Sequence, residues 1–410
     1  MLELCLFDLD ETLLETEDLE EIRLSGVRNN TKEYRQRLTG NLGNQERIRY
    51  SEQEILSIRQ KIPNVKLGIF SRSPRSYVET LLSWAYPNIK WDIIVAYEDV
   101  RRTKPYGEGI RQAMDRLGIK YLNHVAMIGD SDVDIRAAYN AGVIAILDKG
   151  AWPYRYAAQH WNAVSLVPDA IIEKPSQLAS ALTSIATELP DLESRLYQAN
   201  PSSRRFDKTN FFIPNTVDQS NKAYPIHYLG RHFSNYECLN ERAKWHELTS
   251  SIHSHKEAQS FPGEWIESIV SFISYHYPTL CFAGNLIVTV VPARPGRTHR
   301  LANLLKQVES RLTNPLLAGR TVFLPELLAY RDGVLSNSRE HLSREDRFKN
   351  IRDHLYINQP EKLKDRQDIL IIDDVATSGS TLIYPKIILE KDSRRVVTCL
   401  SIAKNISKVV

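Results

Sequence analysis

The opening stretch of the chain constrains its fold most strongly, because an apolar run leads directly into two closely spaced acids. Residues 4–7 are all apolar, and Asp8 and Asp10 follow them. Such a run predicts a buried strand, and two like charges at its end are unfavourable unless a cation or a reaction requires them. A calcium loop is excluded because Leu13 and Leu19 stand where that pattern needs glycine and glutamate. A site at the strand end and a capped helix start are the two interpretations left.

The spacing of Asp8 and Asp10 suits phosphoryl chemistry. An aspartate fixed at the end of a rigid strand can attack phosphorus, and a second acid two residues on can protonate the leaving oxygen and then activate water. Both residues offer the hard oxygen ligands that Mg²⁺ prefers. The stretch therefore predicts a phosphoryl-transfer site with Mg²⁺ as its cofactor.

Three later segments place further polar groups at the ends of predicted strands or before predicted helices. Residues 65–70 are followed by Ser71. If they form a neighbouring parallel strand, the Ser71 hydroxyl lies beside the first site. Lys104 precedes a helical pattern that runs to Gly118. Residues 125–128 run into Gly-Asp-Ser-Asp-Val-Asp, which predicts a strand, a tight turn and a second acidic pair.

Taken in order, these four motifs resemble those of the haloacid dehalogenase superfamily of phosphohydrolases, over roughly residues 1–185. The resemblance implies an α/β fold with a doubly wound, Rossmann-like parallel sheet. It also implies a small helical cap over about residues 14–60. One departure is Glu11, where many relatives carry glycine, although protein phosphatases of the superfamily share the spelling Asp-Leu-Asp-Glu-Thr. That departure leaves the substrate class open.

Carried over to this chain, the resemblance implies a role for each of these side chains. Asp8 would be the nucleophile that forms an aspartyl-phosphate, and Asp10 would be the general acid and base. Ser71 and Lys104 would hold the phosphoryl oxygens, and Asp134 would orient Lys104. The implied Mg²⁺ site consists of Asp8, Asp10, Asp130 and Asp134.

A second strand-and-acid motif lies near the carboxyl end of the chain. Residues 368–372 are followed by Asp373 and Asp374, and then by the small-residue loop 375–381. A loop of this kind ahead of a helix presents backbone amides and hydroxyls to an anion at the positive end of the helix dipole. The adjacent carboxylates can accept hydrogen bonds from two ribose hydroxyls. The motif predicts a site for a ribose 5-phosphate.

This stretch resembles the signature of type I phosphoribosyltransferases, which bind phosphoribosyl pyrophosphate (PRPP), and more closely that of their competence-factor branch. The resemblance covers roughly residues 222–404 and includes weaker matches at 228–231, 286–297 and 342–352. It implies a second doubly wound parallel-sheet domain, at 222–410.

By this second resemblance, the acidic pair would hold the ribose hydroxyls, and the loop would hold the 5′-phosphate. Two arginines would approach the pyrophosphate, with Mg²⁺ bridging it to the hydroxyls. Thr377 stands where oxopurine transferases place an aspartate base, which argues against hypoxanthine or guanine salvage. The residues implied to bind PRPP are Asp373, Asp374, Ala376, Thr377, Ser378, Gly379, Ser380, Thr381, Arg294 and Arg297.

Length and composition set the remaining expectations. A chain of 410 residues predicts two domains, and the polar stretch 186–221 is interpreted as their linker. The net charge of +3 gives no electrostatic reason to expect nucleic acid or a membrane surface as partner. Four scattered cysteines, no signal-peptide pattern and no run of about 20 apolar residues favour a cytoplasmic protein.

One loop permits two interpretations. Residues 149–161 interleave Trp152, Tyr154, Tyr156 and Trp161 with basic side chains. The aromatic residues could stack on a nucleotide or pack the loop against the protein.

Two functional hypotheses follow. The first is a bifunctional enzyme of nucleotide-related metabolism, a Mg²⁺-dependent phosphohydrolase joined to a phosphoribosyltransferase, with a small phosphorylated substrate and PRPP as ligands. The second is a regulatory effector, in a stress or phage-defence context, whose carboxyl-terminal half senses PRPP or a nucleotide and gates the phosphatase or a partner. A protein partner and a homo-oligomer both stay open.

Overall fold

The chain forms two compact units. Of the described residues, those within 1–189 and 233–246, together with residue 407, belong to the first unit, and those within 190–232 and 247–406 belong to the second. The architecture is that of a computed structural model, which describes residues 1–43, 45–150, 152, 158–234, 236–335, 342–364, 367–391 and 394–407.

A six-stranded parallel sheet forms the centre of the first unit. Its strands lie in the order β3-β2-β1-β4-β5-β6, so the chain builds one half of the sheet outward from β1 and then returns to build the other half. The strands are β1 Leu4–Phe7, β2 Lys66–Phe70, β3 Ile93–Val95, β4 Val125–Gly129, β5 Ile144–Asp148 and β6 Ala170–Ile172.

This strand order sets where a ligand can enter the first unit. The loops after β1 and β4 turn to opposite faces of a doubly wound sheet, which opens a crevice at the carboxyl ends of these two adjacent strands. Asp8 follows β1, and Asp130 follows β4. The sequence predicted both strands, and the sheet brings their trailing acids to the same crevice.

The helices of the first unit pack around this sheet. In the stretch predicted as a cap, 14–60, the structure places three helices, α1, α2 and most of α3. The helical pattern predicted after Lys104 is confirmed as α5, which ends at Gly118 in the left-handed conformation. The helices are α1 Glu20–Ser25, α2 Lys32–Asn41, α3 Glu52–Lys61, α4 Arg75–Ala85, α5 Glu108–Leu117, α6 Asp132–Ala141, α7 Ala158–Ser165, α8 Leu178–Thr183 and α9 Ile185–Glu188.

The first unit also contains a segment from much later in the chain, residues 233–246. Its helix α11, Asn240–Trp245, carries Arg242, which is buried and forms an ion pair with the buried Asp169. The Arg242 guanidinium lies 3.8 Å from the centre of the Trp245 ring, and the Trp245 indole N–H donates to the Gly142 carbonyl at 2.8 Å. The amino-terminal unit is therefore completed by residues beyond 189.

The second unit is built on another six-stranded sheet, ordered β10-β9-β13-β14-β8-β7. Strands β10, β9, β13 and β14 are mutually parallel, and β7 pairs antiparallel with β8 at one edge. The strands are β7 Asp207–Phe212, β8 Ala223–Phe233, β9 Leu286–Val290, β10 Thr321–Phe323, β13 Asp368–Ala376 and β14 Val396–Ile406, with a separate antiparallel pair, β11 Leu328–Tyr330 and β12 Leu355–Ile357.

The helices of the second unit flank this sheet. None of the helices in the described ranges of the chain is long and apolar enough to cross a membrane. The helices are α10 Asp191–Leu196, α12 Glu247–Ser254, α13 Gly263–His276, α14 Arg300–Arg311, α15 Pro315–Ala318, α16 Arg344–His354 and α17 Ser380–Glu390.

The stretch interpreted from its polar composition as a linker, 186–221, is structured here. It contains α10 and the edge strand β7, and the two acids of α10, Asp191 and Glu193, are buried. Asp191 accepts hydrogen bonds from Arg195 and from Ser268 at 2.8 and 2.6 Å, and Glu193 forms a buried ion pair with Arg231. The polarity that suggested a linker reflects charges paired inside the second unit, and pairing across distant sequence positions leaves no local pattern.

Candidate active site and candidate phosphate cradle

Lys104 lies at the centre of the crevice in the first unit. The side chain is buried, and its Nζ donates to Asp8 Oδ1 at 2.5 Å and to Asp134 Oδ1 at 2.6 Å. The other oxygen of Asp134 accepts from the Ser131 hydroxyl at 2.5 Å and from the Ser131 amide at 3.2 Å. Ser131, which caps the start of α6, thereby holds Asp134, and Asp134 holds Lys104 against Asp8.

Asp130 faces the same crevice from the end of β4. Its Oδ1 accepts a hydrogen bond from the Thr12 hydroxyl at 3.1 Å, and its main-chain carbonyl accepts one from the Trp152 indole at 2.7 Å. Trp152 also stacks on His160, with ring centroids 4.2 Å apart. Trp152 thus has a packing role beside the site, whereas Tyr154 and Tyr156 lie outside the described residues.

The three acids leave this crevice with an excess of negative charge. One oxygen from each of Asp8, Asp130 and Asp134 lies within 4.8 Å of the others, and Lys104 is the cation in contact with two of them. Burial, opposed by Lys104, raises the pKa of Asp8 to about 7. Burial and the neighbouring carboxylates also raise the pKa of Asp130 well above its usual value.

The donor set and its charge fit a hard divalent cation. The carboxylates of Asp8 and Asp130 would hold Mg²⁺, because both oxygens of Asp134 are already engaged by Lys104 and Ser131. A bound Mg²⁺ would cancel negative charge on a transferring phosphoryl group. It would also offset the burial and the repulsion between carboxylates that raise the pKa values of Asp8 and Asp130.

Asp10 is held by hydroxyl groups. Its Oδ2 accepts from Ser73 at 2.5 Å and from Ser71 at 3.3 Å, and its Oδ1 accepts from Thr16 at 2.9 Å and from Tyr77 at 3.1 Å. Four donors fix the carboxyl group in one orientation, as a general acid requires.

Glu11 is the position at which the resemblance implies glycine. The backbone there has a φ of +59°, in the left-handed region that glycine adopts at little cost. Here the Glu11 carboxylate accepts from the Thr16 amide at 2.7 Å and pairs with Arg49 at 3.2 Å. These two contacts compensate for the strained backbone and close the turn between Asp10 and Thr16.

Gly129 allows Asp134 to approach β4. A Cβ atom at residue 129 would lie 2.3 Å from the Asp134 Cγ, a separation that real Cβ contacts do not show. We therefore expect Gly129→Ala to displace the Asp134 carboxylate from Lys104 and to destabilise the chain by about 1–3 kcal/mol. Thermal unfolding and phosphatase assays would measure both effects.

Gly40→Ala is the matched control for this change. Gly40 lies within α2, and an added Cβ would meet no atom within 4 Å. The Gly40→Ala variant should keep its activity and be slightly more stable than the wild type, because alanine has a higher helix propensity than glycine. Equal effects of the two changes would contradict the packing role of Gly129.

The second unit contains a cavity of about 880 Å³ at the carboxyl ends of β9 and β13. The sequence-predicted residues Asp373, Asp374, 377–381, Arg294 and Arg297 all line this cavity. Ala376 is buried and does not line it. The structure therefore brings together side chains from segments that are about 80 residues apart.

The acidic pair is positioned by its own loop. Asp373 Oδ2 accepts from the Thr381 hydroxyl at 2.6 Å, and its Oδ1 accepts from the Asp374 amide at 2.8 Å. Asp374 forms an ion pair with Arg300, at the start of α14. Burial, followed by the charge of Asp374, raises the pKa of Asp373 to about 7.

The loop after the acidic pair leads into α17 with the geometry of an anion cradle. Gly379 caps the helix with a φ of +79°, and a Cβ there would lie 2.9 Å from Phe211. Ser378 and Ser380 place their hydroxyl oxygens 3.2 Å apart in the turn. Free amides at the start of an eleven-residue helix, together with hydroxyls, suit a phosphate group.

Sequence patterns missed several groups at these two sites. Ser73 and Tyr77 hold Asp10, Thr12 holds Asp130, and Arg300 pairs with Asp374. The position of Ser73, two residues beyond Ser71 after the same strand, is a signal that could have been used. Tyr77 and Arg300 carry no such signal, because helix packing alone brings them to their acids.

The first unit is thus a doubly wound α/β domain with a buried centre of acids and one lysine. Comparison with known proteins adds the family. A family model described as haloacid dehalogenase-like hydrolase matches residues 25–147, a stretch that contains Ser71, Lys104, Asp130 and Asp134. The amino-terminal region of this chain carries a haloacid dehalogenase-like hydrolase domain.

Curated relatives match part of the chain. The "Pyrophosphatase PpaX" of Bacillus mycoides (strain KBAB4) is 28% identical over 120 residues, which are 29% of this chain and 53% of that protein. The protein of the same name from Oceanobacillus iheyensis is 34% identical over 80 residues, which are 20% of this chain and 37% of that protein. The chain thus spans about half the length, or less, of these relatives.

Solved structures also overlap this region. A HAD-superfamily hydrolase, subfamily IA, from Geobacter sulfurreducens PCA has 15% identity and a TM-score of 0.29, covering 44% of this chain and 96% of that one. CbbY from Rhodobacter sphaeroides, in complex with phosphate, has 20% identity and a TM-score of 0.32, covering 43% of this chain and 96% of that one.

Proposed function

We propose that the first unit is a Mg²⁺-dependent phosphohydrolase that acts through an aspartyl-phosphate on Asp8. The observation that supports this proposal most directly is the placement of Lys104, whose Nζ contacts both Asp8 and Asp134 beside Asp130. Phosphoryl transfer depends mainly on positioning and on neutralising charge. The buried lysine supplies one positive charge, and the acids beside it supply ligands for a second cation, Mg²⁺.

In this proposal the chain contributes a nucleophile, an acid and a set of donors. Asp8 attacks phosphorus, and Asp10 gives a proton to the oxygen that leaves. Asp10 then takes a proton from the water that attacks the aspartyl-phosphate. Ser71 and Lys104 donate hydrogen bonds to the phosphoryl oxygens throughout. Mg²⁺, when bound, neutralises the charge that the phosphoryl group brings to the site.

The substrate proposed for the first unit is a small phosphorylated compound, and the names of the relatives suggest pyrophosphate as the first to test. The full chain should release orthophosphate from pyrophosphate or from a sugar phosphate with Mg²⁺, and EDTA should stop the release. If a broad panel of phosphate esters and pyrophosphate gave no Mg²⁺-dependent orthophosphate, the proposal would fail.

For the second unit we propose PRPP as the ligand, with phosphoribosyl transfer as the reaction. The support is the single cavity that gathers the acidic pair, the small-residue loop and the two arginines. Asp373 and Asp374 would accept hydrogen bonds from the ribose hydroxyls, and the turn before α17 would bind the 5′-phosphate. Arg294 and Arg297 would face the pyrophosphate.

Exchanging both acids tests this binding site. We expect Asp373→Asn with Asp374→Asn to weaken PRPP binding by about 10- to 100-fold, because two charged acceptors are lost. Calorimetry with Mg²⁺ and PRPP would measure the affinity. Orthophosphate release by the first unit should not change if the two units work independently.

Asp353→Asn is the control, since Asp353 is exposed, pairs with Arg352 and does not line the cavity. Equal PRPP affinity in the double variant and the wild type would exclude the acidic pair from the site. Binding of PRPP by the wild type without turnover of any acceptor would favour the sensing hypothesis over transfer.

A further inference from the structure

The cavity of the second unit extends past the phosphate cradle to a wall of polar side chains on other elements. His232 is close to the end of β8, Asn405 is near the end of β14, and His253 is in the last turn of α12. All three line the cavity that Asp373 and Asp374 line. Their placement relative to the acidic pair follows from the sheet.

Strand register sets this wall beside the ribose side of the cavity. Strand β14 runs parallel to β13, with Ala376 paired to Lys404, and β8 is its other neighbour. Asn405 therefore lies level with the loop that follows the acidic pair. His232 and Asp374 both line the cavity.

The hydrogen bonds among these three side chains determine where their protons lie. His232 Nδ1 is 2.9 Å from Asn405 Oδ1, which can only accept, so this ring nitrogen carries a proton. Burial lowers the pKa of His232, and the ring is therefore neutral near pH 7 with a lone pair on Nε2.

The tautomer of His232 determines which ring nitrogen of His253 carries the hydrogen. His232 Nε2 lies 3.1 Å from His253 Nε2, so the His253 Nε2–H donates to it. A neutral His253 then has its lone pair on Nδ1. This chain of two bonds prepares the exposed imidazole to accept a proton at one defined atom.

We propose that this wall is the subsite for the ribosyl acceptor, a nitrogen nucleophile with a dissociable N–H, and that His253 is its general base. The inference rests on PRPP being the ligand of the second unit. It assigns a base to a site that has Thr377 where oxopurine transferases place aspartate. His232 and Asn405 are positioning residues, since they act through His253.

The step balances as follows. The acceptor nitrogen forms a bond to C1′ of PRPP, the bond from C1′ to the pyrophosphate oxygen breaks, and its electron pair leaves with pyrophosphate. The acceptor proton passes to His253 Nδ1. No oxidant, reductant or further reactant is needed.

The test compares PRPP binding with pyrophosphate release in the full chain, with adenine, uracil, imidazole and ammonia as acceptors and with water alone as the background. We expect His253→Ala to leave PRPP affinity within about twofold and to lower pyrophosphate release about 100-fold, as for loss of a general base. His255→Ala, two residues along and outside the cavity lining, should change neither quantity.

The positioning role predicts rescue by a variant that keeps the accepting oxygen. Asn405→Leu should lower kcat about 10-fold with the KM for PRPP unchanged, whereas Asn405→Asp should retain most of the rate. Nitrogen-15 spectra of the histidines near pH 7.5 should show His232 protonated at Nδ1 and His253 protonated at Nε2. The opposite tautomers would overturn the inference without any assay of turnover.

The outcomes separate this inference from the proposed function. A wild type that fails to bind PRPP would remove the proposed ligand, and the subsite with it. A wild type that binds PRPP but releases pyrophosphate with none of the four nitrogen acceptors above the rate in water would overturn the subsite and leave PRPP binding intact. Unchanged release by His253→Ala in an active protein would also overturn it.

Discussion

Asp8→Asn is expected to reduce orthophosphate release at least about 10³-fold, because asparagine cannot form the acyl phosphate that the mechanism requires. The side chains are nearly isosteric, and Asp134 still holds Lys104. The fold should therefore persist. Initial rates with pyrophosphate and sugar phosphates, with far-ultraviolet circular dichroism alongside, would measure both expectations.

The same change should stabilise the metal-free protein at alkaline pH. Folding raises the pKa of Asp8 from 3.8 to about 7, so the folded state retains a proton that the unfolded state loses. This lowers wild-type stability as the pH rises from about 4 to about 7, and the cost is then constant. Asparagine is neutral throughout, so the variant should show a higher Tm than the wild type at pH 8 in EDTA.

Mg²⁺ should reverse that order, since it binds the folded wild type through the Asp8 carboxylate and stabilises it by mass action. Asp115→Asn, on the exposed face of α5, is the control and should match the wild type in rate, Tm and Mg²⁺ response. Retained activity in Asp8→Asn would identify another nucleophile. A lower Tm than that of the wild type in EDTA at pH 8 would contradict the electrostatic description of the crevice.

Local patterns predicted the parts of this molecule that depend on local physics. The apolar runs before Asp8, Asp130 and Asp373 are strands in the structure. Asp8 and Asp130 follow their strands as expected, whereas β13 continues through the acidic pair to Ala376. Parallel pairing then brings Asp8 and Asp130 to one crevice, since carboxyl ends of neighbouring parallel strands share an edge. The helix after Lys104 ended at the predicted glycine for the same reason, because its cap is local.

What the sequence did not reveal depends on partners far apart in the chain. In the sequence, Glu193 is one charge in a polar stretch and Arg231 is one charge in a predicted second domain. In the structure the two form a buried ion pair. The resemblance to phosphoribosyltransferases places segment 233–246 in the second domain, yet the segment packs in the first unit through Arg242 and Trp245. Neither periodicity nor composition marks a helix whose partners lie 73 and 103 residues earlier in the chain.

That segment also affects how the two halves can be studied separately. A fragment that ends at residue 189 lacks Arg242, so the Asp169 carboxylate loses the guanidinium that pairs with it in the full chain. It also lacks Trp245 and Phe233, whose rings flank that guanidinium. We expect such a fragment to be poorly folded, and a faithful first unit requires residues 233–246.

Arg242→Met tests this dependence within the intact protein. Methionine keeps much of the length of the side chain, but the buried Asp169 carboxylate loses its cation, which costs about 3–5 kcal/mol in the free energy of unfolding. Urea unfolding of the full chain, followed by tryptophan fluorescence, would measure the loss. Adding Asp169→Asn should recover part of it, because a neutral amide replaces the isolated charge.

Lys244→Met, on the same helix, is the matched control. Lys244 pairs with Glu241, and both side chains are largely exposed, so the change should alter stability by less than about 0.5 kcal/mol. A similar loss in the two variants would mean that α11 contributes only through its surface charge. If Arg242→Met were neutral, the ion pair with Asp169 would not stabilise the first unit, and the contribution of residues 233–246 would lie in other contacts, such as that of Trp245 with Gly142.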